Sequence, residues 1–400
     1  MDKLNHKEYD FSTKLSQRSV IERLRAYLQW QRGADGGIPS YGPVSVNLDL
    51  TSACNFACPH CVDSGIINTG EQLDLKTVCD TVDTLRSQGL LSVILIGGGE
   101  PTLYRDFEAV VAHVKSRGIQ LGIVTNGSRL SRIAAIVDSL EPEDWVRISI
   151  DAGTEETFAA SHLPKTSITL ARLLREAEGL KKRNPLITLG FSFVIVWEGI
   201  TVSGRPLRRN IDEMDLGARL AADHGFDYIS FKPCLIRQQD TQKESLLDQA
   251  DVGAEHRIRE AIEEKLARAR NAVGGRIRVL TSVNLRALLA GQLAELKHQP
   301  GRCHMQFFNT VVTPGGIFHC PAFRGVAKAK LAGPAGYAGK ETYRKTQRTL
   351  AQSILSFNAG RECSVVACFY HHANWWIENF IHSERRPEDI EPAEDDNFFL

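Results

Sequence analysis

Short, nearly uninterrupted apolar runs alternate along the chain with stretches in which apolar residues recur every three or four positions. The runs at 44–50, 91–96, 119–125, 145–150, 187–197 and 228–232 have the length and β-branched content of buried strands. Helical spacing fills the intervals at about 74–87, 105–117, 130–140, 167–183 and 211–224. Ahead of them, Leu15, Val20, Leu24 and Leu28 mark a leading helix within 14–32, followed by a Gly/Pro-rich linker from Gly33 to Pro43. Six strand-and-helix repeats predict an α/β chain folded as a partial (β/α)6 TIM-like barrel, with functional residues at the C-terminal strand ends.

After residue 235 the pattern changes to a polar helix at about 244–272, a strand-like RIRVLTS at 276–282 and a helix to Lys297. The expected units are a leading helix and linker (1–43), the barrel (44–235), a helical connection with an extra strand (236–300), a cysteine-bearing extension (301–375) and a tail (376–400). Its acidic and proline content makes the tail read as disordered.

Charge narrows the functional classes. With 48 basic and 48 acidic residues the formal net charge is zero, which gives the whole chain no electrostatic footprint for nucleic acid or an anionic membrane. No apolar run approaches the roughly 20 residues of a spanning helix, and MDKLNHKEYD lacks the pattern of a signal peptide, so a cytoplasmic location is expected. In such a chain nine cysteines point to metal or cluster ligation before disulfides.

Three of them, Cys54, Cys58 and Cys61, stand as C-x3-C-x2-C directly after the first strand. Three thiolates at this spacing can hold three irons of a cubane cluster and leave the fourth open to a ligand. Zinc is the competing reading, but structural zinc sites are built from four ligands, usually in pairs, and no fourth is present here. The second strand ends in Gly97, Gly98, Gly99 and Glu100, where glycine lets backbone approach a ligand and a carboxylate can accept from an ammonium group. At the third strand end stand Thr125, Asn126 and Gly127. On the fourth, Arg147, Ser149 and Asp151 alternate with Val146, Ile148 and Ile150, so the polar face is expected to point into the cavity. Lys232 ends the sixth strand, with Cys234 two residues on.

C-x3-C-x2-C followed by Gly-Gly-Glu resembles the radical S-adenosylmethionine (SAM) enzymes. The resemblance implies a [4Fe-4S] cluster on Cys54, Cys58 and Cys61 and SAM contacts at Gly98, Gly99, Glu100, Asn126, Ser149 and Asp151. His60 occupies the aromatic position of the cluster loop and is expected to pack against SAM. Cys303, Cys320, Cys363 and Cys368, with the run from Gly315 to Cys320 on a hairpin, resemble the SPASM/twitch extensions and imply a small twitch-like domain holding an auxiliary [4Fe-4S] cluster. Zinc is again the alternative for these four thiols.

The implied reaction begins with reductive cleavage of SAM to a 5′-deoxyadenosyl radical, fed by an external one-electron reductant such as flavodoxin or ferredoxin. The radical removes a hydrogen atom from a small polar substrate, a sugar, aminocyclitol or nucleoside-like molecule. Dehydrogenation follows, with the auxiliary cluster as electron acceptor, as in the twitch-type aminocyclitol dehydrogenases. Two alternatives within the family are epimerisation, with Cys234 as hydrogen donor, and peptide maturation. Lys232 is a further candidate for catalysis. Arg205, Arg208 and Arg209 in the loop after the fifth strand suit an anionic substrate. Outside the family, the alternatives are a non-catalytic SAM- or nucleotide-binding protein and a zinc-binding interaction protein.

Overall fold

The computed structural model describes residues 10–33, 37–202, 204–237, 244–246 and 252–396. Eight strands run parallel in one sheet: β1 (Ser45–Leu48), β2 (Ser92–Leu95), β3 (Gln120–Thr125), β4 (Trp145–Ser149), β5 (Thr188–Ile195), β6 (Tyr228–Pro233), β7 (Arg278–Thr281) and β8 (Asn309–Thr313). Two short antiparallel strands, β9 (Gly316–Phe318) and β10 (Lys330–Ala332), extend one edge, giving the order β7-β6-β5-β4-β3-β2-β1-β8-β9-β10. The architecture is α/β with an open, barrel-like parallel sheet, as the alternating pattern predicts.

The sheet has two parallel strands more than the six expected. β7, read from sequence as part of a connecting segment, pairs with β6 through Arg278↔Tyr228 to Thr281↔Phe231. β8 is buried along its whole length and pairs with β1 in the register Ser45↔Asn309 to Leu48↔Val312. The cysteine-bearing extension therefore continues the barrel sheet by backbone hydrogen bonds. The polar helix expected at 244–272 is a short strand, Glu244–Leu246, and a helix, Val252–Val273, with intervening residues outside the described ones.

Amphipathic helices cover the outer face. Leu75–Ser87 starts at Asp74, whose carboxylate caps the Thr77 N–H, and buries Val78, Val82 and Leu85. A helix that the apolar pattern did not signal, Glu155–His162, follows β4. Thr154 caps it, Glu155 and Glu156 occupy its first turn, and it ends at Leu163 in a left-handed conformation (φ 42°) just before Pro164. Its hydrophobic stripe is weak, and its chemistry lies in the last residue.

The expected disordered tail is instead ordered as far as it is described. A helix spans His371–Ile381, a single turn spans Pro387–Asp389, and Ile390 is buried. Arg25 donates to the carbonyls of Pro387, Glu388 and Ile390, and the Lys14 ammonium pairs with Asp396 at 2.9 Å. Composition misled here because the carboxylates are matched by cations and amides of the leading helical segment. No helix among the described residues is long and apolar enough to cross a membrane.

Inside the barrel, large rings sit over glycines on neighbouring strands. Gly122 faces Trp145 and Gly190 faces Tyr228, and a Cβ at either glycine would lie 2.2 Å from the opposing ring. These two aromatic side chains fill the floor of the barrel. Gly122→Ala is expected to destabilise the protein by about 1–3 kcal/mol through overpacking. Thermal denaturation reads this as a lowered midpoint, and an unchanged midpoint would refute the packing assignment.

Candidate functional site

A cavity of about 500 Å³ opens at the C-terminal strand ends. Cys54, Cys58 and Cys61 line it, with His60, Gly99, Glu100, Asn126, Ser149, Asp151 and Lys232. Thus ten of the expected residues meet in one space, because the loops after β1, β2 and β3 and the interior faces of β4 and β6 converge there. Gly98 lies outside this lining, in a smaller adjoining pocket beside Asp49. The roof comes from the C-terminal extension, through Pro321, Arg324, Phe369 and Tyr370.

The cysteine loop is pinned by short polar contacts. His162, at the end of the unanticipated helix, donates from Nε2 to the Ile150 carbonyl (2.8 Å), which leaves Nδ1 to accept from the Cys58 thiol at 3.2 Å. Ala57 N–H donates to the His162 carbonyl. His60 Nε2 lies 3.3 Å from Asp151 Oδ2, and Val194 N–H donates to Asp151 Oδ1 at 2.7 Å. Burial alone would raise the Asp151 carboxyl, but the His60 bond and the neighbouring imidazoles hold it below its ordinary value. Burial, with Cys61, Asp151 and Cys54 nearby, pushes the Cys58 thiol well up.

Glu100 lines the cavity and also ties two loops together. Its Oε1 accepts from Thr102 N–H (3.1 Å), Thr102 Oγ1 (2.6 Å) and Thr125 Oγ1 (2.7 Å), and its Oε2 from Asn126 N–H (2.7 Å). Three donors converge on Oε1 and one on Oε2, so Glu100 ties the loop after β2 to the end of β3. Burial pushes its carboxyl above the ordinary value despite these donors. Gly99 serves close backbone approach: a Cβ there would lie 2.4 Å from the Ala53 carbonyl oxygen and 2.6 Å from that of Thr51.

Cys303, Cys320, Cys363 and Cys368 line a second, smaller cavity of about 90 Å³. Buried His319 also lines it, and neither of its ring nitrogens has a protein partner. Burial lowers the His319 imidazole to about 4 and raises the Cys368 thiol to about 12. The two cavities share a wall made of Leu235, Asn284, Pro321, Phe369 and Tyr370. Among the described residues, no group of three or more His, Cys, Asp or Glu side chains is placed to hold a single metal ion.

Two expectations do not meet this site. Cys234 does not face the cavity: it is fully buried in the main core, with its thiol toward the Leu235 carbonyl. Arg208 pairs with Glu156, and Arg209 pairs with Glu198 and Asp212, all as exposed surface ion pairs. Sequence reasoning missed His162, which carries no spacing signal. It also missed the buried clamp of Arg324 with Asp49 (2.7 Å) and Asp63 (3.1 Å), whose partners lie more than 250 positions away. Glu100→Gln turns an amide N–H₂ against donors and is expected to cost about 1–3 kcal/mol. A melting temperature equal to that of the parent protein would contradict the strut described for Glu100.

Comparison with known proteins agrees with this geometry. The radical SAM superfamily matches residues 48–201. A protein named S-adenosylmethionine-dependent nucleotide dehydratase from Selenomonas ruminantium is 28% identical over 209 residues, covering 49% of this chain and 72% of that protein. Mycofactocin maturase MftC of Mycolicibacterium smegmatis is 31% identical over 198 residues, and the alignment covers 49% of this chain but only 45% of the maturase. Among solved structures, Streptococcus suis SuiB bound to precursor peptide SuiA superposes with a TM-score of 0.59 at 14% identity, over 95% of this chain and 80% of that one, a likeness of fold. The cysteine loop, the Gly-Gly-Glu turn and strands β2 to β5 thus fall within a radical SAM domain, of a kind that works with a [4Fe-4S] cluster and SAM, and the named relatives support an enzyme that performs a radical-mediated transformation.

Proposed function

We propose that the chain is a radical SAM oxidoreductase that dehydrogenates a small polar substrate in the 500 Å³ cavity. Cys54, Cys58 and Cys61 would hold the catalytic [4Fe-4S] cluster. Cys303, Cys320, Cys363 and Cys368 would hold an auxiliary one. The observation that carries this reading is the wall shared by the two cysteine-lined cavities, one layer of side chains thick. The donor sets fit: three soft thiols at the mouth of a large cavity, and four around a small one that also contains the partnerless His319. When bound, the first cluster with SAM would supply a 5′-deoxyadenosyl radical that takes a hydrogen atom from the substrate, and the second would supply an acceptor for the electron that the substrate radical gives up as it loses a proton.

The protein's own residues then have definite tasks. Backbone at Gly99 and the Ser149 hydroxyl, which makes no protein hydrogen bond among the described residues, remain available to SAM. Glu100 holds that backbone in place, and its Oε2, which accepts only the Asn126 N–H, remains able to accept from the SAM ammonium group. Asp151 fixes His60 toward the cavity. Phe369, Tyr370 and Pro321 roof the reaction space and keep out water and stray hydrogen donors. Core burial of Cys234 removes the support for epimerisation with that thiol as hydrogen donor.

The cavity volume lies within the usual range for small-molecule sites, and the nucleotide dehydratase relative supports a nucleotide-like substrate. A peptide is the second reading, favoured by the fold shared with peptide-bound SuiB. Anaerobically reconstituted protein with reductant is expected to release 5′-deoxyadenosine, and Cys58→Ala to release none. Cys320→Ala is expected to lower bound iron from about eight to about four atoms per chain while SAM cleavage persists. Turnover by the Cys58 variant, or unchanged iron in the Cys320 variant, would remove the respective assignment.

A further inference from the structure

The floor of the main cavity carries two cationic side chains that make no ion pair among the described residues. Arg147 on β4 and Lys232 on β6 both line the cavity, on strands separated by β5, and they repel each other electrostatically. Neither makes a hydrogen bond or ion pair among the described residues, and Arg147 Nε is buried without a partner. The Arg147 guanidinium lies over the Trp145 ring, 5.2 Å from its centroid, which fixes the fork on the barrel floor. Burial and the Arg147 charge, against the pull of Asp151, lower the Lys232 ammonium to about 7.

The carboxylates around the same cavity are already engaged. Asp63 pairs with Arg324, Glu100 accepts four hydrogen bonds, and Asp151 is held by His60 and the Val194 N–H. A buried cation without a hydrogen-bonded anion is costly, and a planar fork beside an ammonium group matches the oxygens of a phosphate or carboxylate. Arg147 also lies two residues, about 7 Å along the strand, below Ser149. The rim is thereby left to the cysteine loop and SAM.

We propose that Arg147 and Lys232 form an oxyanion site for the substrate, gripping its phosphate or carboxylate group at the cavity floor while the carbon to be oxidised lies toward the cysteine loop. The proposal rests on the oxidoreductase reading above and names its substrate class: a small anionic molecule. It also replaces the exposed loop arginines as the source of anion selectivity.

The test is calorimetric titration of anaerobically reconstituted protein with inorganic phosphate and, separately, with acetate. Wild-type protein is expected to bind one of the two, which identifies the oxyanion. Arg147→Gln and Lys232→Gln are each expected to weaken that binding about tenfold or more, as the loss of a charge-assisted hydrogen bond requires. Arg147→Lys and Lys232→Arg keep the charge and are expected to retain most of the affinity, which separates anion binding from a folding defect. Absence of binding by wild-type protein, or equal binding by the Gln variants, overturns the site. Displacement of the anion by free methionine also overturns it, since the pair would then serve the carboxylate of SAM. Failure of the oxidoreductase reading looks different: wild-type protein would bind the anion through these two residues yet release no 5′-deoxyadenosine.

Discussion

One buried guanidinium joins the parts of this molecule. Arg324, carried by the segment between β9 and β10, reaches Asp49 at the end of β1 and Asp63 at the end of the cysteine loop. The cost of burying these charges is offset only while all three are together, and removal of one partner would strand the others. Burial pushes the Asp49 carboxyl well above its ordinary value, against the pull of Arg324. The arrangement contributes registration: the extension can seat against the barrel in one way, with the cysteine loop held between them. The roof, the wall between the cavities and the spacing of the two cysteine sets all depend on that seating.

Much of the polar chemistry in the main site positions other groups. Glu100 spans two strand ends, Asp151 holds His60, and His162 braces Cys58 from behind. These contacts hold the groups that line the cavity in fixed positions. Ser149, Arg147 and Lys232 differ in that their side chains make no hydrogen bond or ion pair among the described residues. The contrast separates the residues that build the site from those left to receive something.

The sequence made the barrel strands legible because they are buried on both faces and read as apolar runs with no competing period. The three-cysteine loop was legible because its thiols are close in sequence, whereas the convergence of the four later cysteines on one cavity shows only in the fold. What stayed hidden depends on distance. His162 acquires its place through a short helix with a weak apolar stripe, and Arg324 meets its carboxylates only after the extension folds back. Arg205, Arg208 and Arg209 illustrate the reverse: clustered in sequence, Arg208 and Arg209 are drawn to surface carboxylates, where such pairs contribute little. The tail misled because composition reports the absence of a core but not the presence of partners elsewhere, here Lys14 and Arg25.

The ladder between β1 and β8 is a rigid ruler. β1 delivers the first cysteine loop and β8 lies between Cys303 and Cys320, so four consecutive residue pairs fix the offset between two regions of thiol chemistry. Hydrogen-bonded strands slide only in whole steps, and a slip of one residue would turn every side chain of β8 to the opposite face. Insertions in the loops around it can be absorbed, whereas any lineage or designer exchanging this extension for another must preserve the register Ser45↔Asn309 or shift one set of thiols against the other.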